Sequence, residues 1–194
     1  MITKTRTYQE HLQKYHLTER QKYGIFKYTM RKDLPRIYLD MDGVLCDFGA
    51  AIRKATGKSK EQWMRIGGRV KWDTVIDYPK FWENMPWNTP GKVLWNFVRK
   101  YDPHILSAYL EKTFDPNCIP GKAAWCRKNL GLTGGKVNLV RRRDKQNFAM
   151  NAGQPCILID DYDKNTSQFT AKGGIGITFT SASRAIRDLK KLGF

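Results

Sequence analysis

Short apolar runs alternate along the chain with stretches whose apolar residues recur at helical spacing. Ile37-Tyr38-Leu39 leading into Asp40, Pro103-His104-Ile105-Leu106-Ser107, Val137-Asn138-Leu139-Val140, Ile157-Leu158-Ile159-Asp160 and Gly176-Ile177-Thr178-Phe179 predict five strands. Between them, Leu94, Phe97 and Val98 behind Thr89-Pro90-Gly91 predict a helix over 93–100. Residues 121–130 read as a second helix that ends on Gly131 as its C-cap, and 183–191 as a last one. Strands separated by helices imply an α/β fold of Rossmann type, a parallel sheet with helices on both faces. Ligands of such sheets bind beyond the carboxyl ends of the strands.

Two regions break this rhythm. Residues 48–90 carry Trp63, Trp72, Trp82 and Trp87 together with Arg53, Arg65, Arg69 and Lys71, and they fall between the first strand and the helix that leads to the second. An insertion there stands over the strand ends, so it reads as a small helical cap, with 36–47 and 91–194 as the core. Its tryptophans fit either the cap's own core or a wall on which a planar base stacks; Phe48, Trp63 and Trp72 are the stacking candidates. Residues 1–35 are polar, basic and rich in Tyr, with Thr18-Glu19-Arg20-Gln21 resembling a helix start, and form an appendage that Pro35 closes.

Composition narrows the class. The 194 residues are 41% hydrophobic and 12% aromatic, with a mean hydropathy of -0.60, as expected of a soluble globular chain. No apolar stretch approaches the roughly 20 residues of a membrane span, and the first residues lack the apolar core of a secretory signal, so a cytoplasmic location is expected. Cys46, Cys118, Cys126 and Cys156 show no metal or disulfide spacing and are expected as reduced thiols. The net charge is +17. A field of that sign attracts phosphorylated ligands and, where it is concentrated on one face, nucleic acid.

The chemistry gathers at the strand ends. Asp40 and Asp42, two apart where the first strand ends, can face one small volume, and Gly43 allows the turn between strand and loop. Asp160 and Asp161 follow the fourth strand, Ser107 ends the second, and Lys145 lies in Arg141-Arg142-Arg143-Asp144-Lys145 after the third. Two strands ending in carboxylate pairs suggest a divalent-cation site. With a lysine and a hydroxyl added, the set suits phosphoryl transfer: one carboxylate attacks phosphorus, the other handles protons, and the cations offset the charge that opposes anionic attack.

The order Asp40-Met41-Asp42-Gly43-Val44 after an apolar strand, a strand-final Ser107, Lys145, and Ile159-Asp160-Asp161 before Asp163-Lys164-Asn165 resembles the haloacid dehalogenase (HAD) superfamily of phosphatases, over residues 36–179. Phe81-Trp82-Glu83-Asn84-Met85-Pro86 and Arg143-Asp144-Lys145 are similar to the 5'(3')-deoxyribonucleotidase group, and Gly173-Gly174-Ile175-Gly176-Ile177 looks like its bacteriophage-encoded members. The resemblance implies an HAD-like core, Asp40 as nucleophile and magnesium ligand, and Asp42 as general acid/base that offers its backbone carbonyl to Mg²⁺. It implies that Asp160 and Asp161 complete the metal shell, that Ser107 holds a phosphate oxygen and that Lys145 neutralises nucleophile and phosphate. The expected substrate is a nucleoside monophosphate, with the termini of DNA or RNA as the alternative and a catalytically silent nucleic-acid-binding protein as the third reading. Related enzymes are often dimers. The group usually places Pro after its strand-end Ser; Ala108 stands there in this chain, in the loop expected to touch the leaving group.

Overall fold

A computed structural model describes residues 34–111 and 113–194. The helix start expected at 18–21, and almost all of the basic appendage, lie outside the described residues.

Five parallel strands form the central sheet: β1 (Ile37–Leu39), β2 (His104–Ala108), β3 (Val137–Val140), β6 (Ile157–Asp160) and β7 (Ile175–Thr178), in the order β3-β2-β1-β6-β7. A two-stranded antiparallel ribbon, β4 (Met150–Asn151) with β5 (Gln154–Pro155), precedes β6. β1 is central, paired through Leu39 with Ile105 on one side and Ile159 on the other. The chain therefore builds outward from β1 in one direction, then returns to build outward in the other. That reversal opens the crevice at the strand ends in which ligands of such sheets bind.

The central strands are short and mainly apolar up to their carboxyl ends because both faces are covered. Ile37 and Leu39 pack with Ile105, Ile157 and Ile159 in one cluster, while Tyr38 joins Leu106, Leu158 and Phe169 in another on the opposite face. This alternation is the two-residue period of a strand seen from both sides. Each fully buried Leu or Ile contributes about 1.5–3 kcal/mol.

The first cluster is covered by α4 (Thr89–Val98), α5 (Cys118–Leu130) and α7 (Ala182–Lys191), through Leu94, Trp125 and Leu189 among others. The second face is covered by α6 (Asp163–Ala171), which contributes Phe169, and by a 3-10 segment over Arg142–Phe148. The five expected strands are present with ends shifted by at most one residue, and α4 and α5 begin earlier than expected, at Thr89 and Cys118. Gly131 caps α5 in a left-handed conformation with φ of 70°.

Residues 48–76 are three short helices, α1 (Phe48–Thr56), α2 (Lys60–Met64) and α3 (Val70–Ile76). Asp47 starts α1 by accepting a 2.8 Å hydrogen bond from the Ala50 amide, and Ser59 with Gln62 forms a reciprocal capping box at α2. Arg69 Nη2 reaches the Thr113 carbonyl in the loop after β2 at 2.8 Å, which ties this region to the strand ends. All four cysteines are buried free thiols. Among the described residues, no helix is long and apolar enough to cross a membrane.

Candidate active site

The loop that follows β1 is wound tightly enough to turn both of its carboxylates inward. The Met41 carbonyl accepts hydrogen bonds from the amides of Val44, Leu45 and Cys46 at 3.2, 2.9 and 2.7 Å. Asn88 Nδ2 fastens the same turn from outside by donating to the carbonyls of Gly43 and Val44 at 2.9 and 3.0 Å. Gly43 has φ of +84°, and a Cβ added there would fall 2.0 Å from Asp161 Oδ2. The glycine therefore lets the turn close and lets Asp161 lie against it.

Asp40, Asp160 and Asp161 meet beyond the adjacent ends of β1 and β6, each offering an oxygen within 4.8 Å of the others. Lys145, the buried residue of the 3-10 segment, joins two of them, with Nζ 2.9 Å from Asp40 Oδ1 and 2.6 Å from Asp160 Oδ2. The Asp40 contact is an ion pair between two buried side chains. Asp160 is held further by the Tyr162 amide at 3.0 Å and by Asn165 Nδ2, which reaches both carboxylate oxygens at 3.0 and 2.9 Å.

These contacts bias the charges. Burial pushes the Asp40 carboxyl up, but the Lys145 and Lys122 ammoniums outweigh it and hold the group below the usual range. Asp160 goes the other way, because burial and the Asp40 charge together exceed the pull of Lys145. Asp161 is pushed up to about 6 by burial and by Asp40, with Lys60 opposing. Burial depresses the Lys145 ammonium, yet its two carboxylates raise it overall. The cluster is thus crowded with negative charge even with Lys145 present.

A divalent cation fits this arrangement. The donors are all carboxylate oxygens and converge within 4.8 Å of one another, which suits a hard ion such as Mg²⁺. Asp40, Asp160 and Asp161 would hold it. The Asp42 side chain is not in this group and turns instead to Lys122.

Lys122, on α5, is the residue that sequence reasoning missed. Its side chain is 0% exposed, and Nζ donates to Asp42 Oδ2 at 2.7 Å, to the Ala108 carbonyl at 2.7 Å and to Ser107 Oγ at 3.1 Å. One buried ammonium thus joins the ends of β1 and β2. A signal was present in the sequence, because Cys118, Lys122, Trp125 and Cys126 fall on one stripe of the helix and all are buried. Asn165 was likewise missed as a partner of Asp160.

No family model matches the chain, and no curated protein matches it.

The remaining expected site residues divide. Lys145 stands at the carboxylates, Ser107 is buried beside them, and Ala108 contributes its carbonyl to Lys122. The aromatic wall is a correction. Trp63 is fully buried with Nε1 donating to the Lys71 carbonyl at 2.8 Å, and its ring lies edge-on to Trp72 at 4.7 Å and to Phe48 at 5.8 Å. Phe48 is enclosed by Trp63, Trp72, Phe81 and Trp82. Rings of that size bury more apolar area against one another than against water, so Phe48 and Trp63 form a core, and of the three only Trp72 is partly exposed. Trp82 faces the buried lysine instead. Its ring lies 5.1 Å from Lys122 Nζ, and its Nε1 donates to buried Asp115 at 2.5 Å.

Proposed function

We propose that the chain is a Mg²⁺-dependent phosphomonoesterase of the HAD superfamily, acting on nucleoside monophosphates through a phosphoaspartyl intermediate on Asp40. The observation that carries this reading is the buried Asp40 carboxylate, held ionised by Lys145 and sharing one small volume with Asp160 and Asp161 at the strand ends. The motif resemblance and the basic composition support the substrate class.

Asp40, Asp160 and Asp161 would hold a Mg²⁺ ion, which would supply the charge that lets a phosphate dianion approach these carboxylates. In the first step an Asp40 oxygen forms a bond to phosphorus as the bond to the leaving oxygen breaks, and Asp42 gives that oxygen a proton. In the second step Asp42 takes a proton from water as the water oxygen displaces Asp40 from phosphorus. Lys122 occupies Asp42 Oδ2, which leaves Oδ1, a buried atom with no partner, for both proton transfers. Lys145 keeps Asp40 and Asp160 apart in charge by sitting between them.

The reading is tested by phosphate release from a panel of 5'- and 3'-nucleoside monophosphates, with and without Mg²⁺ and with Asp40→Asn as the blank. Release that needs both Mg²⁺ and Asp40 is expected. Silence across the panel, or release that persists in Asp40→Asn, overturns it.

A further inference from the structure

Beside the carboxylates is a pair of exposed side chains that the mechanism leaves unused. The Arg142 guanidinium lies over the Tyr162 ring, 5.1 Å from its centroid, and Tyr162 is 41% exposed. Both residues are tied to the site through the backbone. Arg142 begins the 3-10 segment that carries Lys145, and Tyr162 follows Asp161 directly, with its amide bonded to Asp160 Oδ1. The position of this pair relative to Asp40 is therefore set by the same elements that build the site.

The surroundings carry cations among acids: Asp161 and Asp163 flank Tyr162 in the chain, and Asp144 follows Arg143. Arg143 is next along the 3-10 segment with its side chain 73% exposed, its contact to Asp144 Oδ1 being a loose 3.9 Å. Lys164 is exposed in the first turn of α6. Lys60 is exposed on α2 and close enough to Asp161 to oppose the rise of its pKa. Arg142 itself has a ring partner and no ion pair among the described residues. An exposed ring with a guanidinium over it, with Arg143, Lys164 and Lys60 among the exposed side chains of the same elements, is a platform on which a base stacks while the neighbouring phosphates meet positive charge. A mononucleotide bound at Asp40 has only one phosphate, and it is consumed in the site, so these cations match the further phosphates of a longer strand.

We propose that the Arg142–Tyr162 edge binds single-stranded nucleic acid and presents the strand's terminal phosphate to Asp40. The presentation to Asp40 rests on the phosphatase reading above; the binding does not.

The test uses the full chain carrying Asp40→Asn, in Mg²⁺ buffer, and fluorescence anisotropy of a labelled, terminally phosphorylated single-stranded oligonucleotide. Arg142→Ala and Tyr162→Ala should each weaken binding about tenfold, Tyr162→Phe should leave it nearly unchanged, and affinity should fall steeply with salt. Lys190→Ala, which removes an exposed charge from α7, should have little effect. Equal losses from Lys190→Ala and Arg142→Ala, displacement by polyglutamate as readily as by unlabelled oligonucleotide, or no loss in Tyr162→Ala would each overturn the proposal. Mononucleotide hydrolysis by the unsubstituted chain separates the two readings. Hydrolysis without oligonucleotide binding overturns the surface alone, whereas binding that depends on Arg142 and Tyr162, with no phosphomonoester hydrolysed, overturns the phosphatase alone.

Discussion

Lys122 Nζ lies 2.7 Å from Asp42 Oδ2, although 80 positions separate the two residues in sequence. An ammonium has three donors, and here all three have oxygen acceptors, on Asp42, Ser107 and Ala108. Burial works against the charge, but the carboxylates of Asp42 and Asp40, with Cys118, raise the Lys122 pKa overall. A cation so placed fixes the Asp42 rotamer and joins the loop after β1 to the end of β2.

Lys122→Met keeps much of the side chain's volume and removes its charge, leaving three polar partners unsatisfied. Breaking a buried pair of this kind costs about 3 kcal/mol, which urea unfolding would register. Phosphate release should fall at least about a hundredfold, in keeping with the loss of an oriented acid/base group. A variant with unchanged stability and unchanged turnover would show that this contact does neither job.

Gly43→Ala tests the close approach between the β1 loop and Asp161. The added Cβ meets Asp161 Oδ2, and the positive φ costs about 1 kcal/mol on its own. Asp161→Ala removes the obstructing atoms but not the backbone cost. The double variant Gly43→Ala/Asp161→Ala should therefore be more stable than the sum of the two single changes predicts, by more than about 0.5 kcal/mol in a double-mutant cycle. Strict additivity in urea unfolding would mean that Asp161 does not crowd Gly43.

The strand ends were legible in the sequence because the central strands of a covered parallel sheet are unbroken apolar runs, so Asp40, Ser107 and Asp160 stand out as the polar residues that end them. The helix α6 was not legible. Its sequence, Asp163 to Ala171, has Phe169 as its one large apolar residue, and Asn165 and Thr166 are buried through hydrogen bonds, to Asp160 and Thr178, rather than through hydrophobicity. Lys122 was missed for a related reason: a lysine on a helix usually marks the solvated face, and only the three oxygens brought to it by other segments make its burial tolerable. The tryptophans of 48–90 announced an aromatic cluster, but sequence alone could not tell that Phe48 and Trp63 spend their faces on one another.

Asp161 gives a pH signature to the metal-free chain. Its folded pKa of about 6 lies above the ordinary 3.8, so the unfolded state releases its proton first as pH rises. The stabilising contribution is complete below about pH 4 and is lost as pH climbs through about 6. In EDTA, the stability difference between the unsubstituted chain and Asp161→Asn should therefore shift against the unsubstituted chain across that window and level off above it. A difference that is flat with pH would show that Asp161 titrates normally. On the magnesium reading proposed above, the proton and Mg²⁺ would compete for the same carboxylate, and Mg²⁺ affinity should also drop as pH falls through about 6.

Asn165 is expected to act on the metal through Asp160. Its amide holds both Asp160 oxygens, at 3.0 and 2.9 Å, and thereby fixes the carboxylate plane toward Asp40 and Asp161. Asn165→Ala leaves Asp160 to Lys145 and the Tyr162 amide, which hold one oxygen each. Loss of a group that orients a metal ligand typically weakens metal binding about 10- to 100-fold. Calorimetric titration with Mg²⁺ reads this directly, without any need for turnover, and Asn165→Gln separates the amide from its placement, since the longer chain carries the donor to a different point. If Asn165→Ala binds Mg²⁺ as tightly as the unsubstituted chain, Asp160 is oriented by Lys145 and the backbone alone; if neither binds Mg²⁺, the carboxylate cluster is not a magnesium site and the phosphatase reading fails with it.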